Sequence, residues 1–146
     1  MIHVAGFDDL DPRTLYGILR LRAEVFVVEQ ACAFLDPDGR DTEPGTLHVW
    51  DDAGEAGTVA AVLRVLVEPG GARQVGRIVT ARERRGEGLA AALLDRALEL
   101  VPAGCPVELN AQSRLEEWYE QWGFARAGDD FVEDGIPHVR MVRPPG

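Results

Sequence analysis

The chain has 146 residues, 46% hydrophobic and 27% charged, with a formal net charge of −10. That size and balance fit one ordinary globular domain. They exclude a disordered chain and set aside a nucleic acid or an anionic membrane as the main partner, while leaving room for a cationic substrate. All fifteen basic residues are arginines, so lysine nucleophiles and Schiff-base chemistry are excluded. Met1 to Asp9 carries neither a basic nor an apolar leader pattern, and no apolar run approaches the roughly 18 residues that span a bilayer. A soluble, cytoplasmic protein is expected. Cys32 and Cys105 lie far apart, and His3, His48 and His138 are scattered, so two reduced thiols and no zinc site are expected.

Along the chain, Ile2 to Phe7 is a short β-compatible run. Asp11-Pro12 opens a helix with Asp at N-cap and Pro at the first helical position, and Leu15, Ile18, Leu19, Arg22 and Phe26 keep helical spacing, which places a helix over about 12 to 25. Glu29 to Gly45 is rich in Asp, Pro and Gly and reads as an extended surface loop. Strands follow at Leu47 to Asp51, Thr58 to Val67 and about 73 to 80, separated by turns at Asp52-Ala53-Gly54 and Pro69-Gly70-Gly71. Leu89, Leu93, Leu94, Ala97, Leu98 and Val101 form the buried stripe of a second helix that ends at Pro102-Ala103-Gly104. A short strand at Val107 to Asn110 precedes a helix from Arg114 to Trp122 closed by Gly123. Two strands near 124 to 132 and 136 to 143, with Asp134-Gly135 as the turn, complete the order β-α-β-β-β-α-β-α-β-β. This describes an α/β domain over residues 1–146, a mixed central β-sheet flanked by helices.

The most informative segment is Arg85-Gly86-Glu87-Gly88-Leu89-Ala90, delivered by a strand and emptied into a helix. Such a loop aims unpaired backbone N–H groups at one point, where the helix dipole adds positive potential, and its glycines let an anion approach the main chain. A phosphate or pyrophosphate suits it. A Walker A loop needs a lysine that the chain lacks, and a dinucleotide fingerprint needs glycine where Ala91 stands and a place on the first βαβ unit.

The same hexapeptide resembles the Arg/Gln-x-x-Gly-x-Gly/Ala signature of the GNAT superfamily of N-acetyltransferases. Trp118-Tyr119-Glu120-Gln121-Trp122-Gly123-Phe124 resembles that superfamily's aromatic-Tyr-x-x-x-Gly-Phe segment. Within the superfamily the chain is similar to the ElaA-like group through Val25-Phe26-Val27-Val28-Glu29-Gln30, Asp36-Pro37-Asp38-Gly39, Ile78-Val79 and Glu133-Asp134-Gly135-Ile136-Pro137-His138. The resemblance implies acetyl-coenzyme A as donor. Backbone amides of Arg85, Gly86, Glu87, Gly88, Leu89 and Ala90 would hold its pyrophosphate. The main chain of Ile78, Val79 and Thr80 would pair with the pantetheine arm, with an N–H near Ile78 or Val79 polarising the thioester carbonyl. Arg82 and Arg84 either steer the 3′-phosphate or are solvated charges. Asn110 either bonds the pantetheine or caps its strand end.

Direct transfer to an amine expels a thiolate and needs a deprotonated acceptor. The resemblance makes Tyr119 the general acid, against a purely packing role for its ring. Glu29, after the apolar run Val25-Phe26-Val27-Val28, is the candidate base, with burial expected to raise its pKa; a salt-bridged glutamate is the competing reading. Cys32 has no histidine or helix N-terminus evident to activate it. Asp36-Pro37-Asp38-Gly39-Arg40-Asp41 fails the EF-hand pattern at Arg40, Asp41 and Leu47, and reads instead as an Asx-type turn facing the acceptor. His138 either faces the acceptor or is a satisfied strand histidine.

An acidic acceptor region from Glu29 to Glu43 and around Glu133 to His138 is expected to receive a small amine or a peptide amine. Side-chain amines, polyamines, aminoglycosides and protein N-termini all fit it. A coenzyme A-binding sensor without turnover is the rival from another class, and an acyl-homoserine lactone synthase relative ranks behind it. An edge strand near the C-terminus is open to pairing in a homodimer.

Overall fold

A computed structural model describes residues 1–146. Helix α1 (Pro12–Arg22) starts as its sequence demands: Asp11 accepts a hydrogen bond from the Thr14 N–H at 2.9 Å, and Pro12 occupies the first turn. The helix does not stop near residue 25. Ala23–Glu29 continues it as a π-helix, with Gln30 N–H donating to the Val25 carbonyl and Cys32 N–H to that of Val27. This wider winding, a feature frequent at functional sites, carries Glu29 to the helix end.

The strands are β1 (Ile2–Ala5), β2 (Leu47–Asp51), β3 (Ala61–Val67), β4 (Arg73–Thr80), β5 (Val107–Gln112), β6 (Ala125–Arg126), β7 (Phe131–Glu133) and β8 (Ile136–Arg143). They form one mixed sheet in the order β1-β2-β3-β4-β5-β8-β6, with β7 also paired to β8. All neighbours are antiparallel except β4 and β5. Each face carries its own core. Leu93, Leu94 and Ala97 of α2 (Leu89–Leu100) pack with Val49, Leu63, Val65 and Met141 on one side, while Ile18 and Leu21 of α1 pack with Trp50, Val62 and Val79 on the other. Strand β3 is therefore covered on both sides, which is why its run is almost continuously apolar.

Several boundaries differ from the sequence expectation. The first strand ends at Ala5, and Phe7–Asp9 turns as a 3₁₀ helix. Strand β3 begins at Ala61 because the Thr58 N–H closes a turn onto Glu55. Strand β5 runs on to Gln112, and the third helix divides into a 3₁₀ turn (Ser113–Leu115) and α3 (Glu116–Glu120). The strand expected over 124 to 132 breaks into β6 and β7, since Gly128 adopts φ +152° and Arg126 gathers Glu116 and Asp130 around the gap.

Candidate active site

Strands β4 and β5 run parallel yet share only two register pairs, Arg73 with Val107 and Gln74 with Glu108. Beyond these they splay, and the separation opens a cleft of about 720 Å³. A crevice beyond parallel strand ends, where the order of connection switches, is the usual place for a ligand in an open α/β sheet. Strand β4 is also bulged. Between the Val62–Val79 and Arg64–Gly76 pairs, β3 supplies one residue and β4 supplies two, Arg77 and Ile78. Arg77 takes φ +50°, an uncommon value for a side chain of this size. The bulge removes matched ladder partners from main chain that borders the cleft.

The glycine loop closes one end of the cleft. Gly86 (φ +84°) and Gly88 (φ +79°) both take left-handed backbone, and nothing lies within 4 Å of where a Cβ would stand at either position. Gly88 is the N-cap of α2 and offers no side chain to the first helical N–H groups. Glycine is thus required by conformation, and the space in front of the loop is open. Ile78, Val79, Thr80, Arg85, Gly86, Ala90 and Asn110 all line the cleft, while Glu87, Gly88 and Leu89 are not among its lining residues. Glu87 is turned to Arg84, 2.9 Å from its Nε, which takes up much of Arg84's charge. Asn110 lies inside β5, not at its end, and its side chain makes no hydrogen bond within the protein; the end-cap reading is therefore excluded by the longer strand.

Tyr119 projects from α3 into the same cleft, its ring held edge-on by Trp118 and Phe124. It is 6% exposed, and burial pushes its pKa up to about 12. With that raised pKa the phenol keeps its proton at neutral pH, and its hydroxyl makes no hydrogen bond with protein groups.

Glu29 also lines the cleft, but its electrostatics reverse the expectation. Hydrogen bonds from the Arg85 guanidinium hold its pKa below the usual glutamate value, outweighing the smaller opposing effect of burial. Burial is not enough to raise its pKa: the carboxylate is about one-third exposed and bound at 2.7 and 2.8 Å. The salt-bridged alternative describes the free protein.

The acid-rich loop likewise corrects an expectation. Asp38 does form the Asx turn, accepting from the Arg40 N–H at 3.0 Å. Its neighbours, however, are committed to arginines. Arg22, 1% exposed, donates to Asp36 at 2.8 Å and to Asp41 at 2.7 Å. Arg64 donates to Asp38 at 2.6 Å and to Asp41 at 3.0 Å. Arg77 Nε lies 2.9 Å from Asp36 Oδ1, too oblique for a hydrogen bond, with its guanidinium 5.5 Å from the Phe34 ring centre. Arg40 meets Glu43 and Glu68. This loop is therefore a neutralised wall, not a cation trap. Five arginines (Arg40, Arg64, Arg77, Arg85 and Arg114) line the cleft with four carboxylates (Glu29, Asp38, Glu133 and Asp134), and Asp36, Asp41, Glu43 and Glu68 pair with three of these arginines from just outside it, so the lining carries no excess of free negative charge. Arg64 and Arg77 were missed in the sequence reading. The signal was present, because an arginine amid Ala61-Val62-Leu63 and Val65-Leu66 has to meet a carboxylate when the strand is buried.

The Acetyltransferase (GNAT) domain family model matches residues 44–143. The UPF0039 protein Rv2851c of Mycobacterium tuberculosis is 47% identical over 139 residues, covering 93% of this chain and 88% of that protein. The protein ElaA of Escherichia coli is 34% identical over 142 residues, covering 92% and 90%. Its crystal structure superposes with a TM-score of 0.89 at 31% identity, covering 98% of this chain and 99% of that one. A crystal structure of an acyl-CoA N-acyltransferase from Pseudomonas aeruginosa superposes with a TM-score of 0.88 at 35% identity, covering 98% and 99%. The chain belongs to the GNAT acetyltransferase family and is ElaA-like, and its family and fold support acyl-CoA-dependent N-acyl transfer.

Proposed function

We propose that residues 1–146 form one N-acetyltransferase domain that moves an acetyl group from acetyl-coenzyme A to an amine by direct attack. The observation that carries this reading is the splayed β4–β5 cleft ending in a loop where Gly86 and Gly88 leave open space for an anion. Backbone N–H groups from Arg85 to Ala90 would hold the pyrophosphate. Main chain of Ile78, Val79 and Thr80 would pair with the pantetheine arm from one side, and the free Asn110 amide would reach it from the other.

The thioester supplies an activated acyl carbon and a thiolate leaving group. Main chain at the Arg77–Ile78 bulge is the candidate donor for the oxyanion that forms on attack. Tyr119 faces the cleft with its proton retained. A phenol near pKa 12 transfers its proton to a thiolate, with an ordinary thiol pKa of about 8.5, only uphill. Tyr119 therefore acts by donating a hydrogen bond to the leaving sulfur, and the net proton comes from the amine.

The test is calorimetric titration with acetyl-coenzyme A of the wild type and of a variant carrying Gly86→Val and Gly88→Val, followed by thiol release with a panel of amines. Micromolar binding lost in the variant, with amine-dependent thiol release by the wild type, is the expected result. Binding without release from any amine would favour the non-catalytic sensor. Absence of binding by the wild type would overturn both readings.

A further inference from the structure

We propose that His138 is the general base that prepares the acceptor amine, an assignment resting on the acetyltransferase reading above. His138 lines the same cleft as Ile78 and Tyr119. Strand register places His138 opposite Gln112 of β5 on one side and Phe131 of β7 on the other. The Phe131 ring stacks on it at 5.9 Å with planes 25° apart, and the residue is only 9% exposed.

The hydrogen bonding of the ring decides its chemistry. Nδ1 lies 2.7 Å from the Ile136 carbonyl, which can only accept, so Nδ1 carries the hydrogen. In the neutral ring Nε2 then holds a lone pair. The nearest carboxylate oxygen, Oε2 of Glu133, is 3.6 Å from Nε2, where it attracts an imidazolium without hydrogen-bonding to it. The hairpin turn is fixed against the segment that follows α1, because the Cys32 thiol donates to the Asp134 carbonyl at 2.8 Å. Glu133, Asp134, Cys32, Glu29 and Arg114 line the same cleft, as do Asp38, Arg40, Arg64, Arg77, Arg85 and Tyr119. Of these, Glu29 is held as a carboxylate by Arg85 and is a weakened base. Imidazole is the side chain suited to taking and releasing a proton near neutral pH.

An ammonium acceptor gives one proton to Nε2 and becomes a free amine. Its lone pair forms the C–N bond, the C–S bond breaks with its electron pair on sulfur, and the second nitrogen proton passes to the thiolate. The imidazolium then returns its proton to solvent.

Two measurements test the assignment. Thiol release from acetyl-coenzyme A is followed with spermidine, lysine and an aminoglycoside, for the wild type and His138→Gln, alongside donor affinity and melting temperature. A nitrogen-edited imidazole spectrum of the wild type reads the tautomer directly. The expected results are a loss in kcat on the order of 10²-fold, unchanged donor affinity, disappearance of the acid limb of the kcat/KM profile, and a bare Nε2. A variant within about threefold of wild type with its acid limb intact, or a spectrum with the hydrogen on Nε2, overturns the base. A wild type that binds the donor yet releases no thiol overturns the acetyltransferase reading, and the base assignment with it.

Discussion

Arg85 and Glu29 meet in a two-point ion pair, Nη1 to Oε2 at 2.7 Å and Nη2 to Oε1 at 2.8 Å, which ties the glycine loop to the end of the first helix. In the proposed function, the pair joins the residue that opens the pyrophosphate loop to a residue at the acceptor side of the cleft. Under that proposal, a polyanion in the loop would compete with Glu29 for the same guanidinium. Glu29→Gln removes that competitor. Because the pair is partly exposed, its loss frees only the modest interaction of a surface ion pair, so acetyl-coenzyme A affinity is expected to rise about two- to fivefold. Calorimetry of the variant measures this directly, and weaker binding would mean that Glu29 holds Arg85 in place for the ligand instead.

Tyr119→Phe separates catalysis from packing. The hydroxyl has no protein partner, so its removal is expected to leave the melting temperature within a degree or two of wild type. The ring keeps its edge contacts with Trp118 and Phe124. If the phenol steadies the leaving sulfur, kcat falls about 10- to 100-fold while donor affinity changes little. Equal kcat with chemistry shown to be rate-limiting would assign Tyr119 a packing role alone.

Local signals were legible where the sequence had to satisfy a local rule. Asp11-Pro12 marked the start of α1 because capping chemistry is short-range, and the glycine loop was readable because only glycine accepts its backbone angles. The π-helical run to Glu29 was not, since a change from 3.6-residue winding leaves no clear trace in a seven-residue apolar stretch. The partners of Glu29 and Asp38 were also hidden. Arg85 lies 56 positions from Glu29, and Arg64 lies 26 from Asp38, so only the folded sheet brings each charge to its counterpart. The acceptor loop therefore read as an acidic surface, whereas the fold makes it a wall of paired charges.

Arg22 is the keystone of that wall. Its side chain is 1% exposed and its nitrogens reach Asp36 Oδ2, both oxygens of Asp41 and the Asp36 carbonyl. Arg22→Met keeps much of the volume but strands two nearly buried carboxylates. The expected loss of stability is about 3–5 kcal/mol, the usual cost of removing one partner from a buried ion pair. Urea unfolding measures it. A loss below about 1 kcal/mol would mean that Arg64 and Arg77 neutralise the loop without Arg22.

Acid should weaken the same wall through Asp38. Hydrogen bonds from Arg64 hold its carboxyl well below the usual aspartate range, against a smaller opposing effect of burial. In the unfolded chain an aspartate takes up its proton near pH 4, so on acidification the unfolded state binds that proton first. The stability supplied by Asp38 is therefore complete above about pH 5 and declines as the pH falls through 4 toward the folded value. Asp38→Asn lacks this titration. Its melting temperature should lie below wild type at pH 7, and the gap should narrow steadily as the pH is lowered from about 5 to 3. A gap that stays constant over that range would show that the Asp38 carboxylate contributes through shape and neutral hydrogen bonding, with its charge offset elsewhere in the network.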